Sequence, residues 1–279
     1  MVFFWSINFI VAKQTLREFP PVLCAALRFA FTAIIGVPLQ YYLSRNEPKQ
    51  QWTKRDMLWL AALGIGGICG NQFIWMLGIA RTSVAHAAVM IGMSPLAVLL
   101  LAAFIGQERI TSKKLIGLCI AVAGVGIVQS AKESHTEATV LGDVLIVVST
   151  FLFAFFSVYG KREGKRFGAI MVNAAGNAGA TLLLLPATIW YFSTGGANQA
   201  SLSAWMGLIF MAIFPSLLCY GIFYYALNYL PASKVSALAY LQPVLSTSLA
   251  VGLLHEPMSS AFIGGGIVVL AGVLLAERA

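Results

Sequence analysis

The chain has 279 residues, 59% of them hydrophobic and 10% charged, with a formal net charge of +8 and a mean hydropathy of +0.84. A soluble domain carries about 25% charged residues, so this composition excludes a water-soluble globular protein and makes lipid the main solvent. The basic residues sit in short gaps between apolar runs, where they act as a topology signal rather than a nucleic-acid one, and no nucleic-acid partner is expected.

Taken in chain order, the apolar runs predict ten helices, near residues 2 to 16, 22 to 43, 57 to 80, 82 to 106, 113 to 130, 139 to 159, 168 to 192, 203 to 229, 232 to 254 and 260 to 277. The stretch from Met1 to Ala12 has no cation ahead of it; the first is Lys13, behind it. It reads as a first membrane helix rather than a cleaved leader. Pro20-Pro21 opens the second helix, Asp56 is positioned to cap the third, Ser112 the fifth, and Pro257-Met258-Ser259 precedes the tenth. The connections near Arg81 and Leu230-Pro231 are tight enough to make their flanking helices antiparallel neighbours. Cys24, Cys69, Cys119 and Cys219 all lie in apolar runs without CxxC spacing, which argues against a disulfide framework or a metal site.

Alternate loops carry unequal charge. With the N-terminus cytoplasmic, the inner set is Arg45, Lys49, Lys54, Arg55, Arg109, Lys113, Lys114, Lys161, Arg162, Lys165, Arg166, Lys234 and Arg278; the outer set is only Arg17, Arg81 and Lys132. Positive loops resist translocation. The expected location is therefore an inner (plasma) membrane, with both termini in the cytoplasm.

The chain also matches itself at an offset of 148, which places Pro95 on Pro243, Leu101-Ala102 on Leu249-Ala250, Glu108 on Glu256, Gly117 on Gly265 and Ala123-Gly124-Val125 on Ala271-Gly272-Val273. The same register places Lys13 on Lys161 and Pro38 on Pro186. Five helices per copy is an odd number, so the second copy enters the membrane from the opposite face. The expected fold is an all-α polytopic membrane protein of two inverted five-helix repeats, residues 1–131 and 139–279, joined by a linker at 132–138. Inverted repeats with a site at their interface are transporter architecture.

Phe4-Trp5-Ser6-Ile7-Asn8-Phe9 with Lys13, Pro21 with Arg28-Phe29, Met93-Ser94-Pro95-Leu96, and Glu108 with Gly117 and Gly124 form a set, together with Leu241-Gln242-Pro243, Glu256, Gly265 and Gly272. In these residues the chain resembles the drug/metabolite transporter superfamily, in its ten-helix EamA branch, over essentially its whole length. The resemblance implies alternating access around a cavity lined mainly by helices 1, 3, 4, 6, 8 and 9, with metabolite or amino-acid-like substrates.

Polar groups inside a membrane are costly and default to a functional reading. Candidates for a substrate cavity are Trp5, Asn8, Asn71, Trp75, Ser94, Tyr224, Tyr240 and Gln242, accompanied by Ser6, Gln72, Tyr220 and Tyr225. Amides and hydroxyls among aromatics bind a small polar solute and stack on its apolar part. Arg28, His86 and Lys234 are gate or vestibule candidates. Arg28 either attracts an anionic group or serves structure, by snorkelling or by pairing with Glu18 or Asp143. His86 and Lys234 are either attracting cations or interfacial anchors. Pro95 and Pro243, read as mid-helix, are hinge candidates. Asn173 and Asn177 are expected to bridge helices. Gly117, Ala121, Gly124, Gly265, Gly272 and the pair Gly66 and Gly70 are expected to pack helices.

All ten acidic residues lie in loops or near helix ends. A proton-driven cationic-drug exchanger is therefore disfavoured, and no motif supports catalysis, nucleotide hydrolysis, a metal or a cofactor. The expectation is a secondary transporter of a small polar metabolite, an amino acid or relative, acting in export. The other reading is a non-transporting membrane scaffold or partner-dependent subunit. Five helices per half close one cavity, so a monomer suffices; a homodimer is the alternative assembly.

Overall fold

The computed structural model describes residues 1–43, 53–106, 111–130, 139–194, 200–230, 235, 238, 241–255 and 258–278. Among them the structure is all-helical. In chain order it runs α1 Val2–Thr15, α2 Pro21–Leu43, α3 Lys54–Leu63, a π-helical segment Gly64–Cys69, α4 Gly70–Ile79, α5 Val84–Ile91 and α6 Ser94–Phe104. It continues with α7 Ser112–Ser130, α8 Val140–Phe167, α9 Ala169–Ser193, α10 Leu202–Met211 and a second π-helical segment Ala212–Cys219. The last helices are α11 Tyr220–Tyr229, α12 Leu241–Leu254 and α13 Ser260–Glu277.

Six stretches of the described residues are long and apolar enough to cross a bilayer: Pro21–Leu39, Lys54–Ile79, Val84–Leu101, Val140–Tyr159, Met171–Ser193 and Leu202–Leu227. The other predicted spans correspond to α1, α7, α12 and α13. At 14 residues each, α1 and α12 extend about 21 Å at 1.5 Å per residue, short of a hydrocarbon core of about 30 Å. Large apolar side chains stand exposed around the bundle, including Phe104, Leu58, Leu182 and Ile34. Only lipid makes such a surface stable.

Local chemistry starts the helices. Thr53, not Asp56, is the N-cap of α3: its hydroxyl accepts the Asp56 N–H at 3.1 Å while the Asp56 carboxylate accepts the Thr53 N–H at 3.2 Å. Asp56 serves from the third helical position, the reciprocal half of a capping box. Thr111 rather than Ser112 caps α7, accepting from Lys114 N–H at 3.3 Å. Ser201 caps α10 and Ser259 caps α13. Thr53→Ala should cost about 1 kcal/mol, read as a lower unfolding midpoint in detergent without a change in oligomeric state.

The most extensive helix pairs are α7 with α13 and α2 with α9. A Cβ on Gly117 would lie 2.5 Å from the Gly272 carbonyl oxygen, and one on Gly124 would lie 2.6 Å from the Val269 nitrogen. These glycines, with Gly265 and Gly272, let two backbones touch, as lipid-embedded packing requires. Gly66 does not: open space surrounds its Cβ position, and Gly70 meets only side chain and its own segment at ordinary distances. Gly64 is the contact residue instead, directly against Gly176 of α9.

The predicted fourth helix is divided. α5 ends at Ile91, Gly92 and Met93 form a turn, and α6 begins at Ser94, which puts Pro95 in its first turn. There the missing proline N–H costs no hydrogen bond. Pro243 is the third residue of the described span of α12, and the residues just ahead of Leu241 lie outside the described ones. The two sites meet: a Cβ on Gly92 would lie 3.0 Å from Pro243 Cγ.

Candidate functional site

A π segment leaves backbone carbonyls without their α-helical partners, and at the second one side chains from other helices collect them. In the second one, Pro215 contributes no N–H, and its own carbonyl accepts the Trp5 indole N–H at 3.2 Å. The Ser216 carbonyl accepts Asn173 Nδ2 at 2.7 Å, and the Ala212 carbonyl accepts Thr32 Oγ1 at 3.4 Å. Asn173 thus bridges helices as expected, whereas Asn177 donates within its own helix, to the Asn173 carbonyl at 2.9 Å and Oδ1 at 2.8 Å. Such widened turns gather at functional sites.

Beside this segment lies a cavity of about 600 Å³, its open mouth included. Trp5, Asn8 and Phe9 of α1, Arg28 of α2, and Asn71, Gln72 and Trp75 of α4 form one part of the wall. Ile91, Ser94, Phe153, Tyr220 and Gln242 complete it. Of the eight candidates, Trp5, Asn8, Asn71, Trp75, Ser94 and Gln242 therefore line one space. Tyr240 lies outside the described residues, as does the side chain of Tyr224. Tyr220 and Gln72 also line the cavity; Ser6 instead donates to the Val2 carbonyl, and Tyr225 is 62% exposed on the bundle exterior.

The wall is cross-tied. Asn71 Nδ2 donates to the Ser149 carbonyl at 2.6 Å, and the Tyr220 hydroxyl donates to Asn71 Oδ1 at 3.1 Å, which joins α4 to α8 and α11. Trp5 meets Tyr220 edge-on at 5.7 Å and Phe153 at 6.3 Å, while Phe9 meets Trp75 at 5.4 Å. The result is a rigid aromatic surface with polar groups set into it.

Arg28 departs from the structural reading of its sequence position. It neither snorkels nor pairs with Glu18 or Asp143. The side chain is 3% exposed, and its Nε donates to Ser216 Oγ at 2.7 Å; that hydroxyl donates in turn to Gln72 Oε1 at 3.2 Å. Among the described residues, none that lines the cavity is acidic. A buried charge without a counter-charge costs several kcal/mol. Glu18 is engaged elsewhere, accepting the Ser201 N–H at 2.6 Å and its hydroxyl at 2.8 Å, donors that hold its carboxyl below the ordinary carboxylate range.

His86 is not on the cavity wall. It is buried, with Nδ1 3.1 Å from Asp143 Oδ2 and its ring 5.0 Å from Phe262, while the Thr82 hydroxyl donates to the other Asp143 oxygen. Lys13 Nζ donates to the Thr82 carbonyl at 2.8 Å. These groups clasp α1, α5 and α8 together. Lys234 lies outside the described residues. Ile91, Phe153 and Ser216 carry no signal of their own in the sequence, because nothing local sets them apart from the many similar residues of so apolar a chain.

Apolar helices wrapped around a buried polar and aromatic cavity define a multi-pass membrane protein built to hold a small solute. Residues 1–129 and 140–277 match the EamA-like transporter family, and the chain belongs to that family. It is a membrane transporter and not an enzyme. It is similar to an uncharacterized transporter of Archaeoglobus fulgidus, 29% identical over 99% of this chain and 96% of that one. It is also similar to a probable amino-acid metabolite efflux pump of Salmonella typhimurium, 24% identical over 99% of this chain and 91% of that protein. A solved crystal structure covering 99% of this chain and 93% of its own shares the fold with a TM-score of 0.69 at 21% identity.

Proposed function

We propose that the protein is a secondary transporter that moves a small polar metabolite, an amino acid or a close relative, outward across the inner membrane by alternating access between two inverted five-helix halves. The observation that carries this reading is the cavity itself, whose wall draws residues from both halves, Trp5 to Ser94 from the first and Phe153 to Gln242 from the second. A solute held there sits where two bundles can rock about it.

Several features support the inversion. The offset of 148 relates Thr53 to Ser201 and Thr111 to Ser259, all four of them helix caps, and it relates the starts of the two π segments, Gly64 and Ala212. The pairs α2 with α9 and α7 with α13 are each an element against its own repeat mate, as elements beside a twofold axis must be. Segments assigned outside by charge also touch one another: Glu18 reaches Ser201, and Thr139 donates to the Arg81 carbonyl at 2.7 Å. Export of an amino-acid metabolite draws support from the Salmonella relative.

Counterflow of labelled amino acids in proteoliposomes tests the function. Trp75→Ala, which removes an aromatic wall, and Gln242→Ala, which removes an amide, should each lower the rate at least about tenfold, the scale of one good contact at 1.4 kcal/mol. Normal flux in both variants would contradict the assigned cavity.

A further inference from the structure

Three polar atoms at the cavity are buried without a hydrogen-bond partner: Arg28 Nη1, Gln72 Nε2 and Asn8 Oδ1. Their residues are 3%, 3% and 6% exposed. Buried polar groups are normally satisfied, and each exception asks for a missing partner. Two of the three are donors, and they belong to residues tied together through Ser216, whose hydroxyl accepts from Arg28 Nε and donates to Gln72 Oε1. Ser216 is itself held by Asn173 on its carbonyl, so the donor pair is fixed from a third helix. The remaining orphan is an acceptor, on α1.

Resting on the transport reading above, we infer that Arg28 and Gln72 form a carboxylate-binding subsite, and that the ligand is a small monocarboxylate recognised as an anion, with a hydrogen-bond donor substituent directed to Asn8. A guanidinium and an amide N–H can both donate to one carboxylate, whose negative charge is the counter-charge that the described wall lacks. Trp5, Trp75 and Phe153 cover the apolar remainder. Because no acidic side chain among the described residues lines the wall, an ammonium group has no ion-pair partner there. The subsite therefore treats hydroxy acids, which keep a donor for Asn8, as ligands comparable to the amino acids. It rejects the neutral amides of the same skeletons.

The test pairs carboxylates with their carboxamides on the full chain in detergent, by tryptophan-fluorescence titration: lactate with lactamide, alanine with alaninamide, and 3-phenyllactate with 3-phenyllactamide. Carboxylates should bind about tenfold to a hundredfold tighter, the range of a hydrogen-bonded charge. In Arg28→Gln that ratio should fall to about one while amide affinity stays within about twofold; Arg28→Lys, which keeps charge but not the fork, should retain part of it. A merely structural role for Arg28 would weaken both members of each pair alike. Gln72→Leu, which leaves the cation in place, supplies the same comparison should Arg28→Gln fail to fold, with a smaller fall in the ratio. Equal binding of acid and amide by the parent protein overturns the subsite, as does an unchanged ratio in Arg28→Gln or, in its absence, Gln72→Leu. Counterflow run on the same probes separates the two readings. Movement of amides but not acids keeps the transporter and removes the subsite; acid-selective binding without counterflow of any probe keeps the subsite and removes the transporter.

Discussion

Gly64→Leu is expected to prevent the protein from reaching its folded, monodisperse state. A side chain at Gly64 would drive its first carbon into the Cα of Gly176, 3.0 Å from the Gly176 nitrogen, and the reciprocal Cβ on Gly176 would lie 2.7 Å from the Gly64 Cα. Both obstacles are backbone, so no rotamer change relieves them. Overpacking that side chains can absorb costs about 1–3 kcal/mol, and here the rods α3–α4 and α9 must separate along their length, so a loss above about 3 kcal/mol follows. Gly66→Leu is the internal control: two residues away in the same π segment, its Cβ meets nothing within 4 Å. Size-exclusion profiles of the two variants in detergent should show aggregate for the first and a parent-like peak for the second. Equal behaviour would contradict the assigned face of the π turn.

Asn71→Leu is expected to give the second-largest effect, on stability and transport together. The substitution keeps roughly the side chain's size but strips both partners at once, leaving the Ser149 carbonyl and the Tyr220 hydroxyl buried without the bonds they make at 2.6 and 3.1 Å. The orphaned Tyr220 hydroxyl costs about 1–3 kcal/mol, and the bond lost at the Ser149 carbonyl, which keeps its partner within α8, about 1 kcal/mol; the two together cost about 2–4 kcal/mol. Transport should fall further than stability alone accounts for, because Asn71 and Tyr220 both face the cavity. Tyr220→Phe removes only the hydroxyl and should cost about 1 kcal/mol. Thermal unfolding of the two variants side by side, with counterflow on whatever folds, checks the ranking; a Tyr220→Phe defect equal to that of Asn71→Leu would argue that the amide does not tie α8 to α11.

Much of the cavity is legible in the sequence because an amide in a membrane helix has no neutral explanation: Asn8, Asn71 and Gln242 stand out against apolar neighbours and all three reach one space. Trp5 and Trp75 follow the same contrast. Helix starts at Pro21 and Ser259 are equally plain, since proline and serine there have only local work to do. Arg28 is the instructive residue. Its nearest partner, Ser216, is 188 positions away, and a local reading offers only Glu18 or the interface as company for a cation. The chain must close before its isolation is visible. Gly64 is hidden for a different reason: a four-residue glycine spacing marks Gly66 and Gly70, whereas the contact with Gly176 falls on Gly64, which has no glycine four residues to either side. The division of the fourth helix at Gly92-Met93 lies against Pro243, a contact between distant parts of the chain that neither part displays alone.

The central claim is that the second half is the first turned over, and repeat mates measure it most directly. Lys54 and Leu202 occupy the same position in the two copies, each the first residue of its helix and each exposed. Single cysteines at these positions, in a chain whose exposed Cys119 is replaced, should react with a membrane-impermeant maleimide from opposite sides of the membrane: Lys54→Cys only from the cytoplasm, Leu202→Cys only from outside. Labelling of both from the same side would contradict the inversion.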